Sequence, residues 1–274
     1  MLLEKYAAFA AKSFTLPDVC IRLRATLDDP RSSADDIGNL IGIDPSLTAK
    51  VLRLANSSLF RFPSQIESVS KAINVIGGEA LYNLVIAETA STAFKRFQTD
   101  LIDIDKHWNA SVYCGMVAKS LAMRLNLRGA ERFFVMGMLQ NLSELVVAKR
   151  APKRYTTYLN DEKDALPWDR QASHFGFTFA HCSGIILENW KLPLGLYYPV
   201  THMNDVSRQA VDVDVSVLAL ASRITINQLE SQRYGDIALF TSEIANNIDL
   251  DMEVINNSAE YAEVETSKVS SLIQ

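Results

Sequence analysis

Helix punctuation is the feature that most constrains this chain. Between residues 33 and 78 it starts and stops helices repeatedly and offers no strand between them. Ser33 stands three residues before Asp36, a variant of the capping box, and Ile37, Leu40 and Ile41 follow at helical spacing. Asp44-Pro45 starts the next helix: the Asp oxygen accepts from free N–H groups, and Pro sits where its missing N–H costs nothing. Leu47, Val51, Leu54 and Ala55 form the apolar stripe, and Asn56-Ser57-Ser58 ends the helix with residues that bond to nearby backbone. A further helix runs from near Val69 to a stop at Gly77-Gly78.

The rest of the chain keeps this rhythm. The spacing predicts helices over 79–97 and 106–125, the second carrying Trp108, Val112, Val117, Leu121 and Leu125. The polar stretch 95–105 between them is the expected boundary or hinge. Residues 130–149, apolar through Phe133, Phe134, Val135, Met136, Met138 and Leu139, read as one central buried helix. Residues 150–168 are expected to cross the surface, with a helical turn at 155–159. Segments 171–190, 199–204, 211–230 and 251–273 complete an all-α fold. With 48% hydrophobic and 22% charged residues, the chain can bury a core and is not disordered.

Several function classes fall away. No run approaches the roughly 18 apolar residues of a spanning helix, and the first residues lack the basic start of a signal peptide. Cys20, Cys114 and Cys182 are too few and too scattered for a disulfide framework or zinc ribbon. A reduced, cytoplasmic protein without a membrane partner is therefore expected. Residues 241–274 hold seven carboxylates and one lysine, a net of −6, which leaves 26 basic and 25 acidic side chains elsewhere. No part is basic enough for a nucleic-acid partner. The acidic end reads as a solvated helix face, with a basic partner surface as the functional alternative.

No HExxH, GxxxxGK[ST], GxSxG or GxGxxG motif occurs, and there are only four histidines. His174 and His181 are expected on one helix face about 10 Å apart, too far to share a ligand sphere easily. Each reads as an ordinary core-edge or surface histidine. The cysteines read as buried small hydrophobes.

Residues 16–19 (LPDV), 37–57 (IGNLIGIDPSLTAKVLRLANS), 66–73 and 76–78 nevertheless resemble the HDOD domain, the HD-related output domain of bacterial signalling proteins. Trp108 to Ser111, 137–142 (GMLQNL), Gly176 to Trp190 and Leu192-Pro193 extend the resemblance over about residues 5–225. It implies a helical N-terminal subdomain (1–97) and a subdomain related to HD metal phosphohydrolases (98–225); residues 226–274 fall outside it and read as an acidic helical C-terminal extension. It also implies where metal ligands would stand. Those positions hold Ala110, Gln140, Asn141, Phe179, Met203 and Asn204, with a final aspartate position near Ser222. Amides carry no charge and bind metal weakly, and Ala and Phe offer no donor.

The expectation is a non-catalytic signalling module with no metal or other cofactor. The resemblance implies action through a protein partner, such as a kinase, receiver or cyclic-di-GMP protein. A ligand is expected at the cleft between the subdomains, and a cyclic nucleotide is one alternative for it. Nothing after residue 221 is long enough for a second domain, so the expected action is in trans. Asn56, Ser57 and Trp108 are the candidate interaction residues, although helix capping and core packing are the stronger explanation of each. The competing reading is a divergent metal-dependent phosphohydrolase or phosphodiesterase rebuilt around His107, His174, His181 or His202.

Overall fold

A computed structural model describes residues 2–60, 62, 64–249 and 251–273; among them every regular element is a helix. The first half comprises α1 (Leu2–Ser13), α2 (Asp18–Asp28), α3 (Ala34–Gly42), α4 (Pro45–Ala55), α5 (Val69–Ile76) and α6 (Gly78–Phe97). The punctuation works as its chemistry requires. Ser33 and Asp36 form a reciprocal capping box at α3, and the Asp44 carboxylate accepts from the Ser46 and Leu47 amides at α4. Leu47, Val51, Leu54 and Ala55 are all buried. Ser68 caps α5, which stops at Gly77 as its sequence indicates.

The second half begins with α7 (Ile104–Arg124), α8 (Ala130–Leu139) and α9 (Leu142–Arg150). Here the single helix expected over 130–149 is corrected to two, broken at Gln140-Asn141. The break has a local cause. Asn141 leaves helical geometry (ψ 14°), its side chain bonds Glu144, and the Ser143 amide turns to donate to Ser183 Oγ at 2.9 Å. Next come α10 (Pro152–Leu159), α11 (Pro167–Phe175) and α12 (Phe179–Asn189). Gly176, at φ +79°, and the Thr178 cap separate α11 from α12. His174 and His181 therefore sit on different helices, not on the shared face that their spacing suggests. Residues 150–168 also contribute to the core, since Tyr155 and Tyr158 are buried.

The remaining helices are α13 (Leu194–His202), α14 (Val206–Gln209), α15 (Val213–Leu229), α16 (Ser231–Tyr234), α17 (Ser242–Asn247) and α18 (Met252–Ile273). At the centre α7 crosses α8 at backbone contact. A Cβ on Gly137 would lie 2.7 Å from Gly115 Cα and 2.8 Å from the Cys114 carbonyl, so only glycine fits there.

The two ends of the chain bind the halves together. α1 packs on α9 and α12, and the Trp190 indole donates to the Phe14 carbonyl at 3.1 Å. α18 lies along α7 and touches α4 and α6, with Tyr261 donating to the Ser58 carbonyl and Ser270 to Asn109. One buried cluster runs from Tyr6 to Ile273, so residues 98–103 join helices around a shared core. The acidic extension is accordingly a structural helix. Ile255, Ala262, Val269 and Ile273 face inward, while Glu253, Glu260 and Glu263 face solvent. No helix among the described residues is long and apolar enough to cross a membrane.

Candidate functional site

A cavity of about 250 Å³ opens where the α8–α9 break meets α10, α11, α15 and α16. Gln140, Asn141, Met203, Asn204 and Ser222, distant in sequence, all line it. It lies wholly within the second half. The other two expected ligand positions are not on its wall. Ala110 is half-buried on α7. Phe179 is fully buried against Tyr158 and Phe175, and its backbone is pinned at both ends. Its amide donates to Gln171 Oε1 at 2.8 Å, and its carbonyl accepts from Ser143 Oγ at 2.7 Å.

Glu144 is the electrostatic centre of the inner wall. Its Oε1 accepts from the Tyr155 hydroxyl at 2.7 Å, and its Oε2 accepts from Asn141 Nδ2 at 2.6 Å and lies 3.4 Å from His107 Nδ1. Burial pushes the carboxyl pKa up, but His107, Tyr155 and Asn141 together outweigh it and hold the group below its ordinary range. Burial, with Glu144 beside it, pushes the Tyr155 hydroxyl far up, so Tyr155 remains a donor. The His107 ring packs against Phe94, and its buried Nε2 has no partner among the described residues. Tyr158, Trp168 and Tyr234 supply aromatic surface, and Arg170 and Arg233 supply positive charge.

Sequence reasoning missed Glu144, Tyr155, Arg170 and Arg233. The one available signal was the i, i+3 spacing of Asn141 and Glu144, which places two polar side chains together at a helix start.

The donors do not suit a metal ion. Gln140, Asn141 and Asn204 are amides and Met203 is a thioether; of the two carboxylates on the wall, Glu144 has both oxygens engaged, and Glu230 does not complete a three-ligand cluster among the described residues. The histidines pair separately: His107 with Glu144, His174 Nε2 with Asp161 at 2.7 Å, and His202 Nδ1 with Asp205 at 3.9 Å. Burial and neighbouring His202 push the His181 pKa down. Among the described residues no three His, Cys, Asp or Glu side chains converge. All three cysteines are buried, and burial pushes the Cys114 and Cys182 thiols up to about 12, which makes them poor nucleophiles.

The candidate interaction residues serve the backbone or the core. Asn56 clamps Ile66, donating to its carbonyl at 2.8 Å and accepting from its amide at 2.7 Å. Ser57 donates to the Leu54 carbonyl at 2.6 Å. Trp108 is buried edge-on against Phe94.

The HDOD domain profile matches residues 14–206, inside the wider span read from the motifs. A Geobacter sulfurreducens HDOD domain protein of unknown function superposes with a TM-score of 0.72 at 20% identity, covering 98% of both chains. A Shewanella amazonensis protein described as a candidate phosphohydrolase does so at 0.74, with 20% identity and 98% of both chains covered. These likenesses extend through α18, so the C-terminal helix belongs to the shared fold. An uncharacterised Treponema pallidum protein is 23% identical over 181 residues, 65% of this chain and 35% of that relative. The match thus spans about a third of the relative's length.

Proposed function

The chain belongs to the HDOD domain family, and from that premise we propose that it is a non-catalytic bacterial signalling module acting through a protein partner. One observation carries this reading. Four positions where the resemblance calls for histidine or aspartate ligands gather on one cavity wall as Gln140, Asn141, Met203 and Asn204. That wall presents uncharged amides and a thioether, which neither hold a divalent cation firmly nor lower the pKa of a bound water. The partner class is a kinase, a receiver or a cyclic-di-GMP protein, and the place of action is the cytoplasm.

Glu144 supports the same reading. A general base must be free to take a proton, whereas this carboxylate is committed to His107, Tyr155 and Asn141. The test is hydrolysis of bis(p-nitrophenyl) phosphate and p-nitrophenyl phosphate with added Mn²⁺, Mg²⁺ or Zn²⁺. Rates at the level of metal-only controls are expected. Turnover that disappears on His107→Ala substitution would instead establish the competing phosphohydrolase reading.

A further inference from the structure

Two guanidinium groups meet at this cavity, and among the described residues neither has a carboxylate in ion-pair contact. The Asp161 carbonyl accepts from Arg170 Nη2 at 2.8 Å and from Arg233 Nη2 at 3.1 Å. Arg170 is only 6% exposed; its other bonds run to the Tyr158 carbonyl and, at 3.3 Å, to the Tyr234 hydroxyl. Its Nε is buried with no partner. Arg233 has one further bond, to the Lys163 carbonyl. Carbonyl dipoles solvate a cation without neutralising it, and buried charges are ordinarily paired. The nearby carboxylates are not placed to pair: that of Asp161 is 2.7 Å from His174 Nε2, and that of Glu144 is held by its own three neighbours. Glu230, on the cavity wall, makes no ion-pair contact with either arginine among the described residues; burial pushes its carboxyl pKa up, and the charges of Arg233 and Arg170 offset this only in part.

We propose that Arg170 and Arg233 form the anion seat of a binding site for a small phosphate-bearing molecule with a planar ring, no larger than a mononucleotide. The inference rests on the reading that this cavity does not catalyse. A single carboxylate is satisfied by one guanidinium fork, whereas a tetrahedral phosphate has oxygens enough to accept from two forks arriving from different helices. Trp168 supplies a flat wall whose ring is covered by Arg223, 4.8 Å from its centroid. The Gln140 and Asn204 amides line the cavity, make no side-chain hydrogen bond among the described residues, and suit a ring edge or a sugar hydroxyl. About 250 Å³ is just below the usual range of ligand pockets, which suits one ring better than a dinucleotide.

The test is titration of the intact protein with AMP, GMP, inorganic phosphate and cyclic di-GMP, followed by calorimetry and tryptophan fluorescence. Nucleotide recovered at the end is checked for released phosphate. AMP or GMP is expected to saturate one site, at least tenfold more tightly than phosphate alone, and to be recovered intact. Arg233→Gln, at an exposed side chain, is expected to weaken binding at least tenfold without changing Tm. Trp168→Phe should retain the heat and lose the fluorescence change. Absence of saturable binding, or binding indifferent to Arg233→Gln, overturns the seat and leaves the signalling reading intact. Equal affinity for phosphate removes the ring from the proposal, and equal affinity for cyclic di-GMP removes the size limit. Binding with phosphate release keeps the seat and refutes the non-catalytic reading.

Discussion

The Asn56 clamp and the Glu144 cavity are both built from polar side chains, yet they use them in opposite ways. Asn56 gives its amide to backbone: to Leu52, and in both directions to Ile66. Its work is complete within one loop. Around Glu144 the polar groups come from α7, α9, α10, α11 and α16, and among the described residues they leave loose ends: an unpartnered His107 Nε2, an unpartnered Arg170 Nε and unengaged amides on Gln140 and Asn204. Polar groups spent on local backbone mark structure, while polar groups gathered from afar and left incompletely paired mark a site.

Substitutions that cut each region sharpen this contrast. Phe179→Ala, which empties the aromatic wall behind the cavity, is expected to cost about 4 kcal/mol in urea unfolding. Glu144→Ala strands His107 and the Tyr155 hydroxyl, at an expected cost of about 3 kcal/mol. Asn56→Ala removes three backbone hydrogen bonds and is expected to cost about 2 kcal/mol while leaving ligand binding at the cavity unchanged. Asp44→Ala removes only a helix cap, about 1 kcal/mol. A larger loss from Asp44→Ala than from Glu144→Ala would reverse the contrast.

The pH dependence separates the regions again. The Glu144 carboxyl is held below its ordinary value in the folded protein, chiefly by His107 once burial is overcome. Its contribution to stability is therefore full above the ordinary carboxylate range and is lost as pH falls through the folded value. Urea midpoints measured from pH 7 to pH 3 should fall less steeply in Glu144→Gln than in the unsubstituted protein. Asn56→Ala should keep the original slope.

This division also explains what the sequence revealed. α3, α4 and α5 were legible because cap, stripe and stop lie within a dozen residues of one another. The break at Gln140-Asn141 was not, because it depends on Ser183, forty residues away, receiving the Ser143 amide. The shared wall of Gln140, Asn141, Met203 and Asn204 was indicated only through family resemblance. The pairing of Arg170 with Arg233 had no local signal at all, because they meet through the Asp161 carbonyl. The face of α18 was half legible: its carboxylates showed the solvated side, but the weak apolar stripe did not reveal that it binds both halves.

The central proposal, that the cavity of this HDOD domain does not hold a metal, is tested most directly by metal analysis of protein purified without chelator. Inductively coupled plasma mass spectrometry should find well under one equivalent of Mn, Fe, Ni or Zn per chain, with no gain after incubation with each ion and desalting. One or more equivalents retained, and lost on His107→Ala substitution, would contradict the account.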